Sequence, residues 1–144
     1  MKKRIVLSAL LVLCLAFSCA CEIIKVPDYY ELNGNDVVTS FTKVVGKRTI
    51  NTKKIEMTNA VQTVAYSYKN VENAYADADA YIDFLSGEED FYYSGMLNMD
   101  ETEDEISLTK TSDNDKDYEI TVTVRYSTKT KIVKVTIERE KIIG

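Results

Sequence analysis

The chain has 144 residues, 28% charged and 45% hydrophobic, the balance of one small globular domain and not of a disordered tail. It contains no histidine and no tryptophan, and its three cysteines, Cys14, Cys19 and Cys21, all precede residue 22. That excludes histidine general bases, Ser-His and Cys-His nucleophile pairs and His- or Cys-ligated metals from the body, and the net charge of −5 argues against nucleic-acid binding.

Residues 1–18 read as an export leader. Lys2, Lys3 and Arg4 form a positive start, residues 5–17 are apolar apart from Ser8, and small residues follow. The apolar run is shorter than the ~20 residues a spanning helix needs. Two cysteines sit where a lipoprotein leader would be cut. In Ala16-Phe17-Ser18-Cys19 a serine precedes the cysteine, and in Ser18-Cys19-Ala20-Cys21 an alanine does. The leader resembles a bacterial lipoprotein signal, although the leucine usual three residues before the cysteine is missing from both registers. Cys19 is the favoured lipidation site and Cys21 the alternative; plain secretion is the rival reading. Cutting before Cys19 removes Lys2, Lys3 and Arg4, which leaves 15 basic against 23 acidic residues, a net charge of −8. An anionic lipid surface repels such a body, so retention would have to come from the lipid.

Residues 19–35 read as a tether, with Pro27 and the turn-forming Asn33-Gly34-Asn35-Asp36. The domain is expected over residues 36–144. Residues 37–45 carry Val37, Val38, Phe41, Val44 and Val45 at helical spacing before Gly46, and are expected as a short helix docked on the sheet. Residues 47–57 and 61–68 form two strands around a turn at Thr58-Asn59-Ala60, with Val64, Tyr66 and Tyr68 on one face. Residues 71–85 form the main helix. Val71, Ala74, Tyr75, Ala78, Tyr81, Ile82 and Leu85 make one stripe, with Asn70 as N-cap and Gly87 as terminator. Strands follow at 91–99 and 106–111, around an acidic loop at 100–105. Residues 119–126 alternate cleanly, with Ile120, Val122, Val124 and Tyr126 inward, and Val133, Val135 and Ile137 continue that face. The expected fold is α+β: an antiparallel meander sheet with one amphipathic helix packed on one face, plus the short N-terminal helix.

The string from Val38 to Arg48, the strand Tyr66-Ser67-Tyr68, the helix core from Ala80 to Leu85 and the closing strand pair resemble a group of small, uncharacterised bacterial lipoproteins. Over residues 30–140 that resemblance implies an anchored extracytoplasmic domain. It brings no activity, cofactor or catalytic residue with it.

Few residues suggest chemistry. Ser40 and Lys43 match the S-x-x-K of penicillin-recognising enzymes, and Ser112-Asp113-Asn114 matches their second motif, but the K-T-G strand is missing. Asp113, Asp115 and Asp117 match half a calcium loop. Tyr118 replaces its glycine and Val124 its last carboxylate, so they are only a weak metal candidate. Ten tyrosines remain, and Tyr66, Tyr68, Tyr92 and Tyr93 are the candidate binding surface. The sequence therefore points to a monomeric, non-catalytic lipoprotein domain without cofactor. It would sit on the outer face of the cell membrane through its lipid and bind an unknown protein or small ligand, not nucleic acid. The alternative is a small secreted hydrolase or calcium-binding protein.

Overall fold

The structure is a computed structural model and describes residues 25–143. The leader, Cys19 and Cys21 lie outside the described residues. The fold is α+β. A five-stranded antiparallel sheet is built from β3 (Thr49–Thr58), β4 (Val61–Lys69), β5 (Glu103–Thr111), β6 (Tyr118–Ser127) and β7 (Ile132–Lys141). A separate two-stranded hairpin pairs β1 (Tyr29–Glu31) with β2 (Val37–Thr39) through a 3₁₀ turn at Asn33–Asn35. Among the described residues there are two α-helices, α1 (Phe41–Val45), a single turn, and α2 (Ala74–Glu88).

The strand order is β3-β4-β7-β6-β5, which corrects the expected meander. The β5–β6–β7 run is a meander, but β7 closes against β4, with Val64 opposite Ile137 and Tyr66 opposite Val135. The chain therefore leaves β4, crosses the sheet through α2 and starts β5 at the far edge. Strands β3 and β4 join by a tight turn. Asn59 and Ala60 both take positive φ (52° and 65°), the two-residue geometry that matches strand twist.

Alternation decides the faces. Val64, Tyr66 and Tyr68 of β4, Val133, Val135 and Ile137 of β7, Ile120, Val122, Val124 and Tyr126 of β6, and Ile106 and Leu108 of β5 are all buried. Helix α2 lies on this face against β6 and β7 through Ala74, Ala78, Tyr81, Ile82 and Leu85. It covers only part of it. The β4 side is roofed by Tyr30, Leu32, Val38 and Phe41, and Phe91 and Leu97 complete the core.

Five expectations change for stated reasons. Residues 29–35 belong to the body and not to a tether, because the rings and chains of Tyr30 and Leu32 are buried in the core. The main helix starts at Ala74 instead of Val71: Asn70 takes a left-handed φ of 58°, and the Val71 N–H bonds the Lys131 carbonyl at 2.9 Å. Gly87 is helical, and Asp90 (φ 58°) makes the turn-out, with the Glu89 and Phe91 N–H groups both donating to the Leu85 carbonyl. Residues 91–99 form no strand. They touch β5 through one bridge, Tyr92 with Thr109, before Gly95 (φ 106°) turns the chain away. Of the expected 37–45 helix, Val37–Thr39 is strand β2 and only Phe41–Val45 is helical.

Candidate binding surface

The four tyrosines of the expected surface separate. Tyr66 and Tyr68 are 4% and 0% exposed, so they belong to the core. Alternation places them on the inward face of β4, and the β1–β2 hairpin covers that face. Tyr30 and Tyr68 share a 2.6 Å hydroxyl bond, the Phe41 N–H donates to the Tyr30 hydroxyl at 3.1 Å, and the Tyr81 hydroxyl donates to the Thr39 carbonyl at 2.7 Å. Burial pushes the Tyr68 phenol up to about 12 and lifts Tyr30 and Tyr81 well above the ordinary 10.0. Tyr93 is half-buried against the core. Only Tyr92, at 74%, faces solvent as a binding residue would.

Tyr92 is not alone. It lies on the long connection between α2 and β5, where Met96 and Met99 are 84% and 70% exposed. Loops of this length without secondary structure are uncommon, and those that are held in place are usually functional and not linkers. This one is held along its course. Phe91 and Leu97 insert into the core, and Tyr92 and Thr109 exchange two 2.8 Å backbone bonds. The Asn98 N–H donates to the Asp104 carboxylate at 2.8 Å, and the buried Tyr126 ring sends its hydroxyl to the Asn98 and Glu101 carbonyls. Phe91 and Leu97 therefore anchor a backbone that holds large apolar side chains in water.

The charge around this loop is one-sided. Residues 70–109 hold twelve Asp and Glu and no Lys or Arg. Some of that charge is met from elsewhere: Arg48 reaches Asp77 at 2.7 Å and Lys131 reaches Glu72 at 2.6 Å. The last turn of α2 contains Glu88 and no base, the unfavourable sign for the carbonyl end of a helix. On the same helix, Asp79 and Asp83 are like charges four residues apart. Burial, and then Asp83, raise the Asp79 carboxyl above its ordinary 3.8.

The other candidates have structural occupations. Ser40 caps α1, accepting from the Lys43 N–H at 3.3 Å, and the Lys43 amine pairs with Asp28 at 3.5 Å. Asp113 accepts from the Lys110 amine at 2.9 Å, and Asp115 accepts from the Asp117 N–H at 3.1 Å. Among the described residues no three His, Cys, Asp or Glu side chains gather as a metal ion would require. Ser112, fully buried, donates to Asp36.

That last bond belongs to a network that residue patterns did not reveal. Asp36 accepts from Arg139 Nε at 2.8 Å, from Ser112 at 2.7 Å and from the Asn114 amide at 3.0 Å. The Arg139 guanidinium also lies 3.7 Å from the centre of the Tyr118 ring. Burial alone would raise the Asp36 carboxyl, but the bonds from Arg139, Ser112 and Asn114 outweigh it and hold the pKa below 3.8. One signal was available: Arg139 occupies the next inward position after Val133, Val135 and Ile137.

A shallow groove of about 290 Å³ lies between β1 and the β3–β4 pair, lined by Tyr29, Glu31, Lys53, Ile55 and Tyr66 among others. Ile55 and, next along the strand, Met57, inward by register, stay exposed because no described residue covers that end of edge strand β3. No helix among the described residues is long and apolar enough to cross a membrane. Comparison with family models, with curated proteins and with solved structures finds no match.

Proposed function

We propose that the mature protein is a lipid-anchored, non-catalytic binding domain on the outer face of the cell membrane, produced by cleavage before Cys19 and acylation of that cysteine. The charged start, apolar run and small residues ahead of Cys19 support the export step. The pinned loop that keeps Tyr92, Met96 and Met99 in solvent is the observation that carries the binding role. Exposed aromatic and methionine side chains on a fixed backbone suit recognition, since methionine adapts to varied partners and tyrosine gives contact area at low entropic cost. The residues first suggestive of catalysis, Ser40 and Lys43, serve as a helix cap and a surface ion pair. Because the body begins near Asp28, the linker from Cys19 spans at most ~30 Å at ~3.5 Å per extended residue. The domain would therefore sit close to the bilayer.

Fractionation of the native host tests the anchor. The wild-type chain is expected in the membrane pellet and labelled by a palmitate analogue. Cys19→Ser is expected in the soluble fraction without label, and Cys21→Ser is expected to behave as wild type. Release by Cys21→Ser instead would move the acylated residue to Cys21. If the wild type carries no label, the anchor is wrong and plain secretion takes its place.

A further inference from the structure

We infer that the 91–102 loop docks a cationic, apolar-faced segment of a partner protein. This rests on the binding-domain reading and names the chemistry of what that domain would bind. Two independent features of the loop point the same way. Its exposed large side chains, Tyr92, Met96 and Met99, offer dispersion and apolar contact that water does not reward. Its own carboxylates are exposed: Glu88 and Asp90 precede it, Asp100 and Glu101 lie within it, and no Lys or Arg occurs between residues 70 and 109, although Arg125 reaches Glu103 just past the loop at 3.4 Å and the Lys110 amine lies 4.9 Å from the Phe91 ring. Lys110, the first base after that stretch, is already engaged, with its amine 2.9 Å from Asp113 and 3.2 Å from the Glu89 carbonyl.

An anionic rim around apolar anchors selects its partner by sign. A cationic segment gains attraction on approach and buries the methionines on arrival, whereas an anionic lipid surface or an acidic peptide is repelled. An amphipathic segment with Lys or Arg on one side and Leu or Phe on the other supplies both halves. The pinned backbone favours binding further, because little loop entropy remains to be lost.

The methionines themselves report on the contact. Met57 lies on β3, away from the loop, and is exposed as Met96 and Met99 are. The exported chain carrying Cys19→Ser and Cys21→Ser has no acyl acceptor at the cleavage site, so the titration does not depend on whether the anchor exists. With ¹³C-methyl methionine, addition of an 18-residue Lys/Leu amphipathic peptide is expected to shift the Met96 and Met99 signals and leave Met57 in place. A Glu/Leu peptide of the same length should shift none of them. Tyr92→Ser and Asp100→Asn/Glu101→Gln should each weaken the Lys/Leu titration about tenfold, and added salt should weaken it as well. Equal shifts at Met57, no shift at Met96 and Met99, or undiminished binding by both variants would overturn the proposal. None of those results would bear on membrane partition, which the Cys19→Ser fractionation reads separately.

Discussion

Arg139 occupies a position that alternation assigns to the core, and its side chain is only 7% exposed. A charge there costs several kcal/mol of lost hydration unless it is paired and hydrogen-bonded. Asp36 meets it from 103 residues earlier in the chain, and Ser112 and Asn114 fill the remaining acceptor sites of the carboxylate. The chain comes so close here that a Cβ on Gly34 would stand 2.5 Å from Arg139 Nη2, and Gly34 also holds a φ of +71°. Glycine meets both demands at once. Asp36→Asn leaves the guanidinium buried without its counter-charge, and is expected to lower unfolding free energy by about 3–5 kcal/mol in a urea titration. The double change Asp36→Leu/Arg139→Leu should recover most of that loss. A single variant costing under about 1 kcal/mol would show that the pair is solvated instead.

At the scale of the element, the β1–β2 hairpin is the part of the fold that cannot stand by itself. Its strands have three residues each and pair only with one another. Such a ribbon is unstable in water. Its order is borrowed from the tyrosines beneath it: Tyr30 lies 5.0 Å from the Tyr66 ring and shares its hydroxyl with Tyr68. Tyr30→Ala empties a buried site and is expected to cost about 3–5 kcal/mol. Tyr30→Phe keeps the ring but leaves the Phe41 N–H unsatisfied, for about 1–3 kcal/mol. Amide exchange in Tyr30→Phe should accelerate over residues 29–41 while β6 and β7 stay protected; uniform acceleration would mean that the hairpin and sheet open as one unit. Element type was legible wherever a strand alternated. Residues 119–126 show it, because one wet and one covered face impose period two on the sequence. Residues 91–99 read as a strand for their aromatic and apolar content, yet only Phe91 and Leu97 turn inward, and the loop's outward residues are the candidate surface. The hairpin is illegible for the opposite reason: Pro27 and the Asn-Gly turn look like linker, and nothing local in Tyr30 announces its partner 38 residues later.

For the whole molecule, composition and burial together set a pH window. Without histidine, no ordinary side chain titrates between about pH 5 and 8, so stability should be flat there. Burial raises Tyr68 to about 12 and lifts Tyr30 and Tyr81 well above 10.0. The folded chain therefore keeps protons that the unfolded chain releases near pH 10. Stability from these groups is complete below pH 10 and falls as pH rises beyond it. The Asp36 carboxyl is shifted the other way. Its contribution is present above the ordinary 3.8 and disappears as pH falls through its lower folded value. Asp79, raised by burial and then by Asp83, acts in the opposite direction. Urea midpoints are expected to plateau from about pH 5 to 10 and drop above it, and Tyr68→Phe should make the alkaline drop shallower. Midpoints that hold steady to pH 12 would contradict the burial of the tyrosine cluster.

The sequence by itself determined which faces of β4, β6 and β7 turn inward, that one long helix joins two groups of strands, and that the body has neither thiols nor imidazoles. These follow from local periodicity and composition, which each segment carries without reference to the rest. Only the tertiary structure decided that β7 lies beside β4, that the residues after Pro27 roof the tyrosines, that Asp36 meets Arg139, and that Tyr92 is exposed while Tyr66 and Tyr68 are not. Each of these depends on groups far apart in the chain coming together. Such pairings are chosen by the free energy of closing the whole core, and no single stretch of residues encodes that choice.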